Sequence, residues 1–235
     1  LRERRLERVL EGYSSVLRPA TEQLAGRIRL ASIVTAIEWG RHQVRIWHTS
    51  PARRKRPPLP PPAVLLSVPV GVLQATPPDE GAIRFEPPIT AKSRALAHLA
   101  MGDVVRLVIR CRRRFWTDDV LSRRVAGEDF DQLGFLHTSD VRFPTWWSAY
   151  PDTAPVLVAW SGGHAARALS GLTTREVTQR ALTALASALG VPFYRIDREV
   201  AHVWTHDWMN DPFTRGAYSY QLVGGRYASR DLARP

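Results

Sequence analysis

The hydrophobic residues of this 235-residue chain come in short bursts, and the length of those bursts limits the fold more than any other feature. The longest apolar stretches, residues 63–72 and 155–160, are as long as core strands and far short of the ~18 residues that a membrane-spanning helix needs. Between the bursts, 18 prolines and 15 glycines divide the chain into strands and short helices. Hydrophobic residues make up 44% and charged residues 23%, the balance of a packed globular chain, which excludes wholesale disorder. A lone Cys111 excludes an internal disulfide framework and any cysteine-based zinc site.

The formal net charge is +11, from 33 Lys and Arg against 22 Asp and Glu, which raises the question of a nucleic-acid partner. Only Lys55 and Lys92 are lysines, so 31 of the 33 basic residues are arginine. They are not interleaved with stacking aromatics, as single-strand binding requires, and no nucleic-acid partner is expected. One dense basic run, Arg53-Arg54-Lys55-Arg56, leads into Pro57-Pro58-Leu59-Pro60-Pro61-Pro62. It reads as a solvated irregular linker, with a phosphate-contacting loop or a polyproline ligand as alternatives.

Patterning predicts helices over 1–10, 15–25 and 91–99, and strands over 28–34, 36–39 and 43–47. Residues 63–68, closed by Pro69, read as a strand buried on both faces, and 76–88 as a loop with four prolines. In the strand 103–111, Val105, Leu107 and Ile109 share one face, while Arg106 and Arg110 point the other way. Segments at 134–138 and 145–150 lead to a buried strand at 155–160. The clearest helix spans 174–189. Thr173 and Glu176 form a capping box, Val177, Ala181, Leu185 and Leu189 make an apolar stripe, and Gly190 marks the stop. A short strand at 200–204 and a turn-rich loop at 210–216 follow. The expected class is α/β in a mixed α+β arrangement.

Several catalytic signatures are absent: a G-x-G-x-x-G turn, a P-loop, a G-x-S-x-G elbow and H-E-x-x-H. His202, His206 and Asp207 read as a packed or surface group rather than a metal site, since no third ligand has suitable spacing. Ser161, His164 and Asp152 have no spacing that supports a catalytic triad.

A series of local motifs says more. Glu11-Gly12-Tyr13-Ser14 is followed by Ile28-Arg29-Leu30, Val34-Thr35-Ala36-Ile37 and Val68-Pro69-Val70-Gly71-Val72-Leu73. Then come Ile83, Phe85 and Pro87-Pro88, Met101-Gly102, Arg114-Phe115-Trp116, residues 155–160 with Gly162-Gly163, Trp208, and Asp211-Pro212 with Arg215-Gly216-Ala217-Tyr218-Ser219-Tyr220. Over about 210 residues, this order and spacing resembles the C-terminal half of the flavin-containing amine oxidases: monoamine oxidases, polyamine oxidases and lysine-specific histone demethylases. Residues 47–62 depart from that pattern, where the resemblance implies a compact hairpin carrying D-G-x-x-x-x-A-D.

The resemblance implies a two-domain FAD enzyme truncated at both ends, and the chain does begin at Leu1 rather than Met. Part of the FAD-binding domain would cover 1–95, part of a substrate domain with a mixed sheet flanked by helices 96–210, and a return to the FAD domain 211–235. Val34 would meet the adenine through its backbone, and the Val68-Pro69 turn would lie close to the FAD. Trp208 and Tyr218 would flank the isoalloxazine, Tyr218 as one wall of an amine cage; read alone, both are ordinary core aromatics. Arg106 would stand where the family has a lysine that holds a water against flavin N5; read alone, it is a solvent-exposed or ion-paired strand arginine. Residues 117–138 and 146–150 would help line the substrate cavity. The FAD would be non-covalent, because Ala217 occupies the place of the cysteine that tethers flavin in monoamine oxidases. The implied reaction oxidises a small-molecule amine to an imine, with molecular oxygen as acceptor and hydrogen peroxide as product, in a cytoplasmic protein. The rival readings are a non-catalytic remnant or basic binding module, and another flavoprotein oxidase or desaturase of the same fold.

Overall fold

Alternation along one strand organises the larger core. The computed structural model describes residue 9 and residues 11–50, 58–118 and 130–234. In β5 (Val104–Cys111), Val105, Leu107, Ile109 and Cys111 are buried while Arg106 and Arg110 stay exposed, as the period-2 pattern predicts. Strand β5 sits inside a five-stranded sheet with β6 (Phe135–His137), β7 (Thr145–Ser148), β8 (Val156–Gly162) and β9 (Val200–Thr205), in the order β6-β7-β8-β5-β9. Each of its pairings is antiparallel, where a mixed sheet was expected.

One face of this sheet is closed by helices. A five-residue helix α4 (Gly163–Arg167) leaves β8 directly and leads to the long helix α5 (Thr174–Ala188), followed by α6 (Phe193–Asp197). The capping box is present: Glu176 N–H donates to Thr173 Oγ1 (3.3 Å) and Thr173 N–H donates to Glu176 Oε2 (2.8 Å). The predicted stripe of Val177, Ala181, Leu185 and Leu189 is buried against Leu107, Ile109, Leu157 and Trp146 in one cluster.

A second, smaller cluster of Ile37, Val72 and Ile83 lies under a three-stranded sheet of order β2-β1-β3. Helix α1 (Tyr13–Gln23) precedes it. Strand β1 (Ile33–Gly40) pairs antiparallel with β2 (Gln43–Thr49) and parallel with β3 (Arg84–Glu86). The mixed pairing therefore belongs to this sheet. Helix α2 (Val70–Gln74) follows Pro69, and α3 (Thr90–Ala97) leads into β4 (Leu99–Gly102). Strand β4 pairs antiparallel with β10 (Tyr218–Gln221), ahead of a last helix α7 (Ala228–Ala233).

Three expectations need correction. Residues 63–68 form no strand, and Leu65 is 95% exposed. Flanking prolines remove N–H donors, and no described strand lies alongside to accept the pairing. The strand predicted at 28–34 begins only at Ile33, because Arg27 closes a turn on Leu24 and Ala31 adopts φ 52°. The loop at 76–88 contains β3, a three-residue strand too short for a periodic signal. The helix predicted over 1–10 lies outside the described residues, apart from exposed Val9. So does the basic run 53–56; beyond it, Leu59 forms a bridge with Ile46.

Three solution measurements check this core. Removing the cap hydroxyl in Thr173→Ala should cost about 1 kcal/mol, read as a thermal midpoint ~2–4 °C lower. The Cys111 thiol is 3% exposed, and burial, reinforced by the negative charge of Glu199, pushes its pKa up to about 12. It should stay unlabelled by a disulfide reagent at pH 8 and react once denaturant unfolds the chain. The native state holds this proton more tightly than the unfolded chain, so stability should decline as pH rises from about 9 toward about 12.

Candidate functional site

The motif residues from distant parts of the sequence meet where the segment 211–218 crosses the chain. Asp211 builds its first turn. Its backbone oxygen accepts Arg215 N–H (2.8 Å), and its carboxylate accepts Phe213 N–H (2.8 Å) and contacts His206 Nε2 (2.7 Å). Burial alone would raise the Asp211 carboxyl, but the bonds from Phe213 and His206 outweigh it and hold the group below the usual carboxylate range. Arg215 has φ 56°, a left-handed conformation that costs free energy in a residue with a Cβ. Its side chain offsets this by donating to Glu80 O (2.7 Å) and pairing with Asp79 (3.5 Å).

Three glycines on three separate stretches let this segment approach. A Cβ at Gly81 would lie 2.2 Å from Pro212 O, one at Gly71 in α2 would lie 2.7 Å from Arg215 Cβ, and one at Gly102 would lie 2.6 Å from the Tyr218 ring. Tyr218 is paired directly with Gly102 across β10 and β4, so its ring lies over bare backbone. Gly216 N–H donates to Trp208 O (2.7 Å), and Ala217 N–H donates to Gly102 O (3.0 Å). Trp208 and Tyr218 thereby belong to one hydrogen-bonded unit. They are 39% and 50% exposed, which rules out the reading of both as core aromatics.

Val34, Val68 and Pro69 lie on the other side of Gly71. The side chains of Val34 and Val68 pack on the small core, which leaves only their backbones for a ligand. Pairing of β1 with β3 starts at Ala36, so the edge of β1 at Val34 that faces away from β2 has no strand alongside among the described residues. Pro69 immediately precedes α2, which carries Gly71. Trp208 and Tyr218 thus belong to the segment that meets Gly71 and Gly102, Val68 and Pro69 lead into the helix that carries Gly71, and Val34 packs on the small core with Val72.

Arg106 is placed apart. It stands on β5 four residues beyond Gly102, opposite Trp160 of β8, on the sheet face not covered by helices. Between β4 and β5 stands Asp103, whose carboxylate accepts from Arg167 Nε (3.0 Å) and Nη2 (2.6 Å). Of the expected cavity lining, Trp146 is instead wholly buried in the large core, Trp147 occupies the open face, and 119–129 lie outside the described residues. Gly102, Gly71 and Trp160 were legible only as motif letters, and nothing in the sequence signals Gly81. His206 Nε2 is held by Asp211 Oδ2, while Asn210 Nδ2 donates to Ser170 Oγ and to Asp207 Oδ2. Among the described residues, no group of three His, Cys, Asp or Glu is placed to hold a metal ion.

A flavin suits part of this arrangement. Two open aromatic rings and a free strand edge match a flat heterocycle and an adenine, respectively. The sequence holds no G-x-G-x-x-G turn of the kind that cradles a dinucleotide pyrophosphate.

Residues 1–235 match the family of flavin containing amine oxidoreductases, and the chain belongs to it. It is 28% identical over 230 residues to lysine-specific histone demethylase 1 homolog 3 of Arabidopsis thaliana, covering 97% of this chain and 13% of that protein. It is 27% identical over 239 residues to probable polyamine oxidase 5 of the same plant, covering 92% of this chain and 42% of that one. In fold it matches wild-type putrescine oxidase bound to putrescine, with a TM-score of 0.72 at 22% identity over 97% of this chain and 46% of that one. Cyclohexylamine oxidase from Brevibacterium oxydans IH-35A gives 0.69 at 18% identity, over 95% and 45%. The chain thus spans less than half the length of these relatives. No helix among the described residues is long and apolar enough to cross a membrane.

The glycine contacts give a direct check. Gly102→Ala should displace the Tyr218 ring while leaving the large core intact. The expected result is a changed Tyr218 ring environment by NMR, with loss of stability of ~1–3 kcal/mol. An unmoved Tyr218 signal would show that the ring does not rest on Gly102.

Proposed function

We propose that the complete protein is an FAD-dependent amine oxidoreductase and that this chain supplies the isoalloxazine-side walls and the substrate sheet. The observation that carries this reading is the Tyr218 ring held over Gly102, half exposed, in one unit with Trp208. In this reading 1–95 and 211–235 belong to the FAD-binding domain and 96–210 to the substrate domain. The separate small and large cores support that division, as do the contacts of Pro212 and Arg215 with Gly81 and Gly71.

When bound, the flavin would accept hydride from the carbon beside the amine nitrogen, leaving an imine for water to hydrolyse, and pass two electrons to oxygen as hydrogen peroxide. The chain's own residues orient and enclose. The Val34 backbone edge would take the adenine, and the Val68-Pro69 turn would lie along the cofactor. Tyr218 and Trp208 offer aromatic faces that attract an ammonium and hold the amine near the reacting centre. Arg106 would hold a water by hydrogen bond at the flavin edge while keeping its own proton.

The flavin is proposed to be non-covalent. Ala217 offers no thiol, and the one cysteine, Cys111, is buried in the large core. Acid precipitation of the flavin-loaded protein should release all the yellow colour to the supernatant, and colour held in the pellet would refute this.

Arg106→Lys should alter the oxygen-dependent step at least as much as amine binding, because it exchanges a planar fork for a compact ammonium. Stopped-flow measurement of the reductive and oxidative half-reactions separates the two. Unchanged rates in both would make Arg106 part of the scaffold.

A further inference from the structure

The five-stranded sheet has one face closed by helices and one that is open. Cross-strand register places Arg106 beside Trp160, and Val108 beside Trp204, on the open face. Trp147 and Phe135 extend it across β7 and β6. None of the five strands contains an Asp or Glu. Among the described residues, neither Arg106 nor Arg110 forms an ion pair. The Arg110 guanidinium lies over the Trp204 ring, 5.9 Å from its centroid. That ring in turn packs on His202 at 4.2 Å, so one face of the guanidinium is fixed and its edge donors remain free.

This is an unusual surface for an amine site. Aromatic walls alone would welcome a second ammonium, but two unpaired guanidiniums with no acid between them repel it. The same guanidiniums offer a carboxylate two parallel hydrogen bonds each. Arg106 and Arg110 stand four residues apart, roughly 13 Å along the strand, and their flexible side chains cover part of that span. Tryptophan faces between them suit a short run of methylenes.

Resting on the proposed role of Arg106 at the flavin edge, we infer that this face selects an amine that carries a carboxylate at its far end. Arg110, braced on Trp204, takes the carboxylate, the aromatic walls take the methylenes, and diamines and polyamines are disfavoured. Arg110 sets specificity through charge and fork geometry and takes no part in the transfer of hydride.

The test uses the flavin-loaded protein mixed anaerobically with 5-aminopentanoate, pentylamine or 1,5-diaminopentane. Flavin reduction by 5-aminopentanoate should be at least about tenfold more efficient than by the diamine. Arg110→Gln should bring that ratio close to one, and Arg110→Lys should keep part of it. A diamine that reduces flavin as well as the amino acid, or a ratio unmoved by Arg110→Gln, overturns the inference. A second readout needs no turnover: pentanoate, titrated against tryptophan fluorescence, should bind at least about tenfold more tightly than pentylamine. Equal binding also overturns it. Pentanoate binding of the expected strength, with no flavin reduction by any amine, would leave the anion-recognising face standing and refute amine oxidation itself.

Discussion

The close approach of residues 211–218 to three glycines is the contact on which the rest of the site depends. Gly81 admits Pro212, Gly71 admits Arg215, and Gly102 admits the Tyr218 ring, each at distances no Cβ would tolerate. Because these glycines belong to a loop, a helix and a strand within 71–102, the segment ties together three elements from which it is itself remote in sequence. Arg215 tightens the tie from the other side, through Glu80 O and Asp79. Strain at its positive φ is tolerable because Asp211 fixes the turn and the surrounding contacts leave it no alternative.

From that junction the two halves of the site acquire different characters. On the small-core side, valine side chains are consumed in packing, so any ligand must be met by backbone. On the sheet side, the pleat sends apolar side chains inward and leaves arginine and tryptophan outward. Asp103, bonded to Arg167, stands between β4, which pairs with the strand of Tyr218, and β5, which carries Arg106.

Much of the larger core was legible because its signals are local. The capping box at Thr173 and Glu176, the stripe from Val177 to Leu189 and the alternation of β5 each fall within a window of a few turns or strand residues. The run 63–68 misled for the opposite reason. Its composition is that of a buried strand, yet a strand needs a neighbour, and pairing is decided by residues far away in sequence. Strand β3 was missed because three residues carry no period, and its pairing with β1 is parallel and spans a long connection.

Residue order along the chain was enough to give the class of fold, the family and the two faces of β5. Those depend on side-chain order along the chain, which periodicity and motif spacing report directly. Only the tertiary structure decided that Trp208 and Tyr218 are open rather than buried, that Gly71, Gly81 and Gly102 converge on one segment, and that Arg106 and Arg110 share their sheet face with tryptophans and, among the described residues, form no ion pair. Each of those facts concerns atoms brought together from distant positions. Exposure and charge pairing are properties of what surrounds a side chain, and the chain acquires surroundings only when it folds.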